Sequence, residues 1–174
     1  SRDGYRVESH AADLAALLEH LRIDAKSGAV FMGWSMGVQV TLELFRQQGA
    51  LPAAFVALHG TSGFPLQTAF NSAWTERVSP HVFRAMRRHW RSVAGALPAV
   101  AGHDGVVDFF MALCRSIGFM DRAMDRQLFQ AMAREWVTLD LGAYADIFEK
   151  LGEHDASDVV ADLDAPTLVV AGEQ

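Results

Sequence analysis

Ala29-Val30-Phe31-Met32-Gly33-Trp34-Ser35-Met36-Gly37-Val38-Gln39-Val40-Thr41-Leu42 changes character halfway along. Residues 29–32 are an uninterrupted apolar run, the pattern of a strand buried on both faces of a parallel sheet. From about Met36 to Gln48 the apolar positions follow helical spacing, with Val38, Leu42 and Phe45 on the inner side. Gly49 stands where a helix end favours a left-handed residue. The junction is Gly33-Trp34-Ser35-Met36-Gly37, a serine between two glycines at the turn from strand to helix.

Working outward, Ser9 to Leu21 reads as an amphipathic helix, with Leu14, Leu17, Leu18 and Leu21 on one face and Ser9 as its N-cap. Asp24 to Gly28 is a polar turn. Residues 53–58 (Ala-Ala-Phe-Val-Ala-Leu) form a second apolar strand, and residues 167–171, introduced by Pro166, a third. From about Phe64 to Asp158 the pattern is helical, with no convincing strand. This order predicts an α/β fold: three parallel strands with flanking helices and an inserted helical lid. The core is expected over residues 1–63 and 159–174, and the lid over 64–158.

Within the lid, Ser79-Pro80 is a helix start. The helix behind it carries an apolar stripe (Phe83, Met86, Trp90, Val93, Leu97) opposite Arg84, Arg87, Arg88 and Arg91. Those arginines read as a solvated face or as a docking patch for an acidic carrier protein or an anionic substrate. A second helix is expected over about 106–117, with Phe109, Phe110, Met111, Leu113 and Ile117. A third, over about 122–136, carries Met124, Leu128, Phe129 and Met132. Such stripes are usually core, but Met-rich lid surfaces also suit apolar acyl or aromatic groups.

Composition narrows the function classes. The 174 residues are 51% hydrophobic and 21% charged, with a formal net charge of −6. That is a globular balance with no electrostatic attraction for nucleic acid. The single cysteine, Cys114, excludes an intrachain disulfide and fits a reducing, cytoplasmic compartment. No apolar run reaches the roughly 20 residues of a membrane span. Residues 1–10 lack the apolar stretch of a signal peptide, and the absence of Met suggests that Ser1 is not a true start. There is no metal-ligand cluster and no glycine-rich phosphate loop, so no cofactor is expected.

The pattern G-x-S-x-G alone is weak, since roughly five chains in a hundred of this length would hold one by chance. A strand before it and a helix after it are what a nucleophile elbow requires. The sharp turn lifts the serine hydroxyl above the sheet, and the flanking glycines let backbone segments pass. Ser35 is therefore the candidate nucleophile, and the backbone N–H of Met36 the candidate oxyanion donor at a positive helix end. Trp34 and His59 are candidate substrate-contacting residues. The alternative is a serine that merely caps a helix.

The elbow, the strand at 53–58, the helical insertion and Asp164-Ala-Pro-Thr-Leu-Val-Val-Ala-Gly-Glu-Gln174 together resemble the α/β-hydrolase superfamily, in its lidded esterase and haloperoxidase-like branch. The resemblance implies a carboxylic ester hydrolase acting through an acyl-enzyme on Ser35. It also implies a catalytic aspartate directly after Gln174, a histidine after one further strand, and a second oxyanion donor upstream of Ser1. The chain is expected to be the central part of such an enzyme, with β-strand 29–32 left at an open edge. The Trp-Ser-Met core is similar to that of pimeloyl-carrier methyl ester esterases, which points the arginine patch at an acyl carrier. His59-Gly60 imitates an oxyanion motif but follows the nucleophile, so His59 reads as a cleft or hinge residue. His103-Asp104 and His154-Asp155 read as solvated loop residues, because sequence neighbours diverge. The competing function is a non-catalytic module that binds a ligand or acidic partner through its lid.

Overall fold

A computed structural model describes residues 2–23, 28–49, 52–65, 81, 85, 88–89, 103–116, 120–136 and 138–172. By internal contacts it divides into one unit of Ser1–Phe83 with Asp146–Gln174 and another of Arg84–Ala145. The first contains a three-stranded parallel sheet in the order β1 (Val30–Trp34), β2 (Ala54–Leu58), β3 (Thr167–Val170). Met32 pairs with Val56 and Val56 with Leu168, so the three strands run in step. The expected α/β class, parallel sheet and flanking helices are all present.

Helix α1 spans Val7–His20 and α2 spans Met36–Gln48. The core lies where α2 covers β1 and β2: Val38, Leu42, Phe45, Phe55 and Ala57 are buried together, and Phe31 packs against them. The Phe45 ring meets Phe31 and Phe55 edge-on, with centroids 5.5 and 5.7 Å away. Each such pair adds roughly 0.5–1.5 kcal/mol beyond area burial. Gly49 ends α2 in the left-handed conformation (φ +59°), its N–H bonded to the Phe45 carbonyl. The inner stripe and the helix end are as the spacing predicts.

Helix α1 departs from its sequence reading. It begins at Val7, so Ser9 is inside its first turn and Arg6 takes the cap position without a side-chain capping bond. The buried positions are Val7 and Ala11, whereas Leu17 and Leu21 are exposed. Helices α1 and α2 pack against each other, with the small Ala11 fully buried and Leu14 and Leu18 half-buried. Strand alternation sets Phe31 and Gly33 towards α2, leaving Val30, Met32 and Trp34 on the opposite face. There Met32, Trp34 and Leu168 are 66%, 72% and 58% exposed.

Helix α3 (Asp104–Ser116) and α4 (Arg126–Trp136) belong to the second unit, and α5 (Leu141–Glu153) and α6 (Ser157–Ala161) follow. Helix α4 starts four residues later than expected because Asp125 Oδ1 accepts the Leu128 N–H at 2.8 Å, an N-cap bond. Asp140 caps α5 in the same way through Gly142 and Ala143. On α3, Val107 and Met111 are buried, while Phe109, Phe110 and Leu113 are exposed. Among the described residues no helix is long and apolar enough to cross a membrane. Of the expected helix behind Ser79-Pro80, His81, Ala85, Arg88 and His89 are described and helical, whereas Arg84, Arg87 and Arg91 lie outside the described residues, as does Ile117. Arg88 is exposed.

Candidate active site

In open parallel sheets, ligands bind beyond the carboxyl ends of the strands. Three connections meet there. The Ser35 N–H donates to the Leu58 carbonyl (2.9 Å), and the His59 N–H donates to the Val170 carbonyl (2.8 Å). Those bonds carry the ladder one residue past β1 and β2, so Ser35 and His59 are held at the rim of the sheet.

Ser35 has φ +52° and ψ −119°, a conformation L residues avoid. The turn is forced by its surroundings. A Cβ on Gly33 would lie 2.6 Å from the Gly37 carbonyl oxygen and 2.7 Å from Val38 Cα. Only glycine lets strand and helix converge so closely. Gly37 is different from the sequence expectation: a Cβ there would meet nothing within 4 Å. One flanking glycine is sterically required, and the other is not. A third glycine, not recognised for this role in the sequence, does share the work. A Cβ on Gly60 would lie 2.6 Å from the Ser35 carbonyl oxygen and 2.4 Å from Val38 Cγ2.

Ser35 is exposed, and its hydroxyl forms no hydrogen bond with another described residue. Met36 is the first residue of α2, so its N–H has no acceptor within the helix. The first turn of α2 carries no acidic side chain, which leaves the positive helix end uncompensated. Trp34 ends β1 on the exposed sheet face. His59 is exposed, has φ +45°, and places its Cε1 3.7 Å from where a Cβ on Gly172 would stand. It therefore sits between the ends of β2 and β3. Among the described residues no group of His, Cys, Asp and Glu is arranged to hold a metal.

The two sequence-adjacent His–Asp pairs separate. His103 is exposed and precedes α3. His154 is not a solvated loop residue: it is buried, with Nε2 3.1 Å from Glu43 Oε2. A carboxylate only accepts, so Nε2 carries the proton, and Nδ1 has no partner among the described residues. Next to it, Arg46 bonds the side chains of Glu43 and Asp158. The hydrogen bond from Arg46 holds the Asp158 carboxyl below its ordinary range, and Asp158 in turn raises Arg46. A depressed carboxyl contributes stability above its unfolded-state value, lost as pH falls through the folded one. Urea unfolding from about pH 6 to about pH 3 should thus show stability falling. Asp158→Asn should reduce that slope, and an unchanged slope would remove Asp158 from the account.

No protein-family model matches the chain, and no curated protein does. Among solved structures it is similar to a glycine-for-glutamate mutant of the N-acyl homoserine lactonase AidH complexed with N-hexanoyl homoserine, with TM-score 0.52 and 20% identity. The match covers 100% of this chain and 54% of AidH, so the chain spans about half the length of the structure it resembles. At that identity the likeness is one of fold: the chain has a partial α/β fold, three parallel strands in one sheet with flanking helices, resembling that of this α/β-hydrolase neighbour.

Proposed function

We propose that the chain is part of a serine hydrolase that cleaves carboxylic esters through an acyl-enzyme on Ser35. The observation that carries this reading is the strained Ser35 backbone at the strand-to-helix turn. Strain of this kind persists where surrounding structure over-determines it and displays a reacting group. A helix cap would not require it, because N-cap residues adopt ordinary extended angles.

In the proposed reaction Ser35 Oγ attacks the ester carbonyl and the alcohol departs, leaving an acyl-serine that water then hydrolyses. The Met36 N–H stabilises the oxyanion, and Trp34 and His59 border the substrate. The reaction also needs a general base and a carboxylate to orient it, for which the family resemblance implies a histidine and an aspartate. Residues 64–158 act as the lid, and an apolar acyl or aromatic group is the substrate portion it favours. AidH, named as a lactonase, acts on a cyclic ester, which supports an ester over an amide. Arg84, Arg87, Arg88 and Arg91 remain the proposed contact for an acidic acyl carrier.

The second reading, a binding module without catalysis, draws on the unpartnered Ser35 hydroxyl. A fluorophosphonate probe separates the two in polypeptide that continues past Gln174. The expected result is probe mass on the peptide containing Ser35, absent from Ser35→Ala. A folded, unlabelled protein would favour the binding module.

A further inference from the structure

The chain leaves the sheet after β2 and returns before β3, and the two passing segments clasp each other. Gly63 and Asp155 form an antiparallel bridge. The Phe64 N–H donates to the His154 carbonyl (3.2 Å) and the Ala156 N–H to the Ser62 carbonyl (2.8 Å). A Cβ on Gly63 would lie 2.2 Å from Asp155 Oδ1 and 3.0 Å from Asp155 Cα, so the Asp155 side chain fills the space beside this glycine.

This clasp is fastened to α2 at successive turns. Gln39 Nε2 donates to the His154 carbonyl (3.2 Å), Glu43 meets the His154 ring, and Arg46 donates to the Asp155 carbonyl (2.8 Å). Positions 39, 43 and 46 form one stripe of the helix, beside the apolar stripe of Val38, Leu42 and Phe45. The Glu43 and His154 side chains are only 5% and 3% exposed. Burying such a pair is costly, and a well-packed apolar pair would often be at least as stable. A polar pair fixes registry instead, because its bonds form in a single alignment.

The other end of the same loop reaches the nucleophile. Gly60 abuts the Ser35 carbonyl and Val38, three residues before Gly63 joins the clasp. Helix α2 and residues 60–64 thus form a short circuit that begins and ends at the Ser35 turn.

We propose that Glu43 and His154 are positioning residues for Ser35: their buried bond registers α2, and the turn at its start, to the two ends of the inserted segment. Displacement of either end is then passed to the turn. The catalytic consequence rests on the Ser35 reading, whereas the mechanical coupling does not.

The test compares Glu43→Leu, which removes the acceptor, with Glu43→Gln, which keeps an oxygen for the His154 Nε2–H. His154→Leu cuts the same bond from the other side if Glu43→Leu does not fold. In Glu43→Leu, amide exchange at Phe64 and Ala156 should accelerate about tenfold or more, with Phe55 and His59 in the β2–β3 ladder little changed. The Ser35 and Met36 amide resonances should shift, labelling of Ser35 should slow about tenfold, and Glu43→Gln should restore much of each effect. Shifted resonances in a protein that never labels would sink the hydrolase reading and leave the coupling standing. Uniformly faster exchange would reduce the pair to general stability. Open clasp amides with unmoved Ser35 and Met36 resonances would overturn the proposal.

Discussion

Replacing Gly33 by alanine is expected to cost about 3 kcal/mol of folding free energy, the upper part of the range for overpacking. The three atoms a Cβ would strike are all backbone: the Gly37 carbonyl carbon and oxygen and Val38 Cα. No rotamer change can relieve that overlap, so β1 and α2 must separate, and the Phe31–Phe45–Phe55 ring contacts open with them. Gly37→Ala is the control. Its Cβ would meet nothing, and alanine is favoured over glycine in a helix by up to about 1 kcal/mol. Urea midpoints at constant m-value measure both. Equal effects of the two substitutions would show that the convergence of strand and helix is not what Gly33 serves.

Ser35→Gly is expected to stabilise the chain and to remove the labelling proposed for Ser35. A non-glycine residue at φ +52° and ψ −119° carries roughly 1–3 kcal/mol of strain. Glycine relieves this but loses up to about 1 kcal/mol of backbone entropy, so a net gain of about 1 kcal/mol should remain. Ser35→Ala keeps the strain and should show little gain. Both should abolish labelling by the fluorophosphonate probe. The measurement is thermal or urea unfolding of the three proteins side by side. A Ser35→Gly protein less stable than the parent would mean that the turn stores no strain, and the main support for the nucleophile would fall with it.

The elements that sequence reveals well are those whose cause is local. The strand begun by the 29–32 run, the helical spacing of Val38, Leu42 and Phe45 and the left-handed Gly49 each act within a few residues, and all three are present. The burial on both faces that the run implied is not, since Val30, Met32 and Trp34 are exposed. Helix ends were less legible, because α1 starts without any side-chain cap and Asp125 competes with earlier positions to start α4. What was illegible depends on distant partners. Nothing near His154 indicates burial, since Glu43 lies on a helix far earlier in the chain. Gly60 likewise looks like part of a loop motif until the Ser35 carbonyl is found against it. For Gly37 the pattern misled, as a glycine flanking a tight turn need not be the one under compression.

The Gly63–Asp155 bridge also bears on how the chain can fold and vary. Parallel pairing of β2 with β3 demands closure of a very long loop, a demand that slows folding. Once the clasp has formed, β3 is separated from β2 only by the short arms on either side of the bridge. The segment between the two strands then starts and ends at the bridge, and doubling its length would add only about 0.6 kcal/mol of closure entropy. An insertion attached in this way can be lengthened, shortened or exchanged with little effect on the stability of the sheet that carries Ser35.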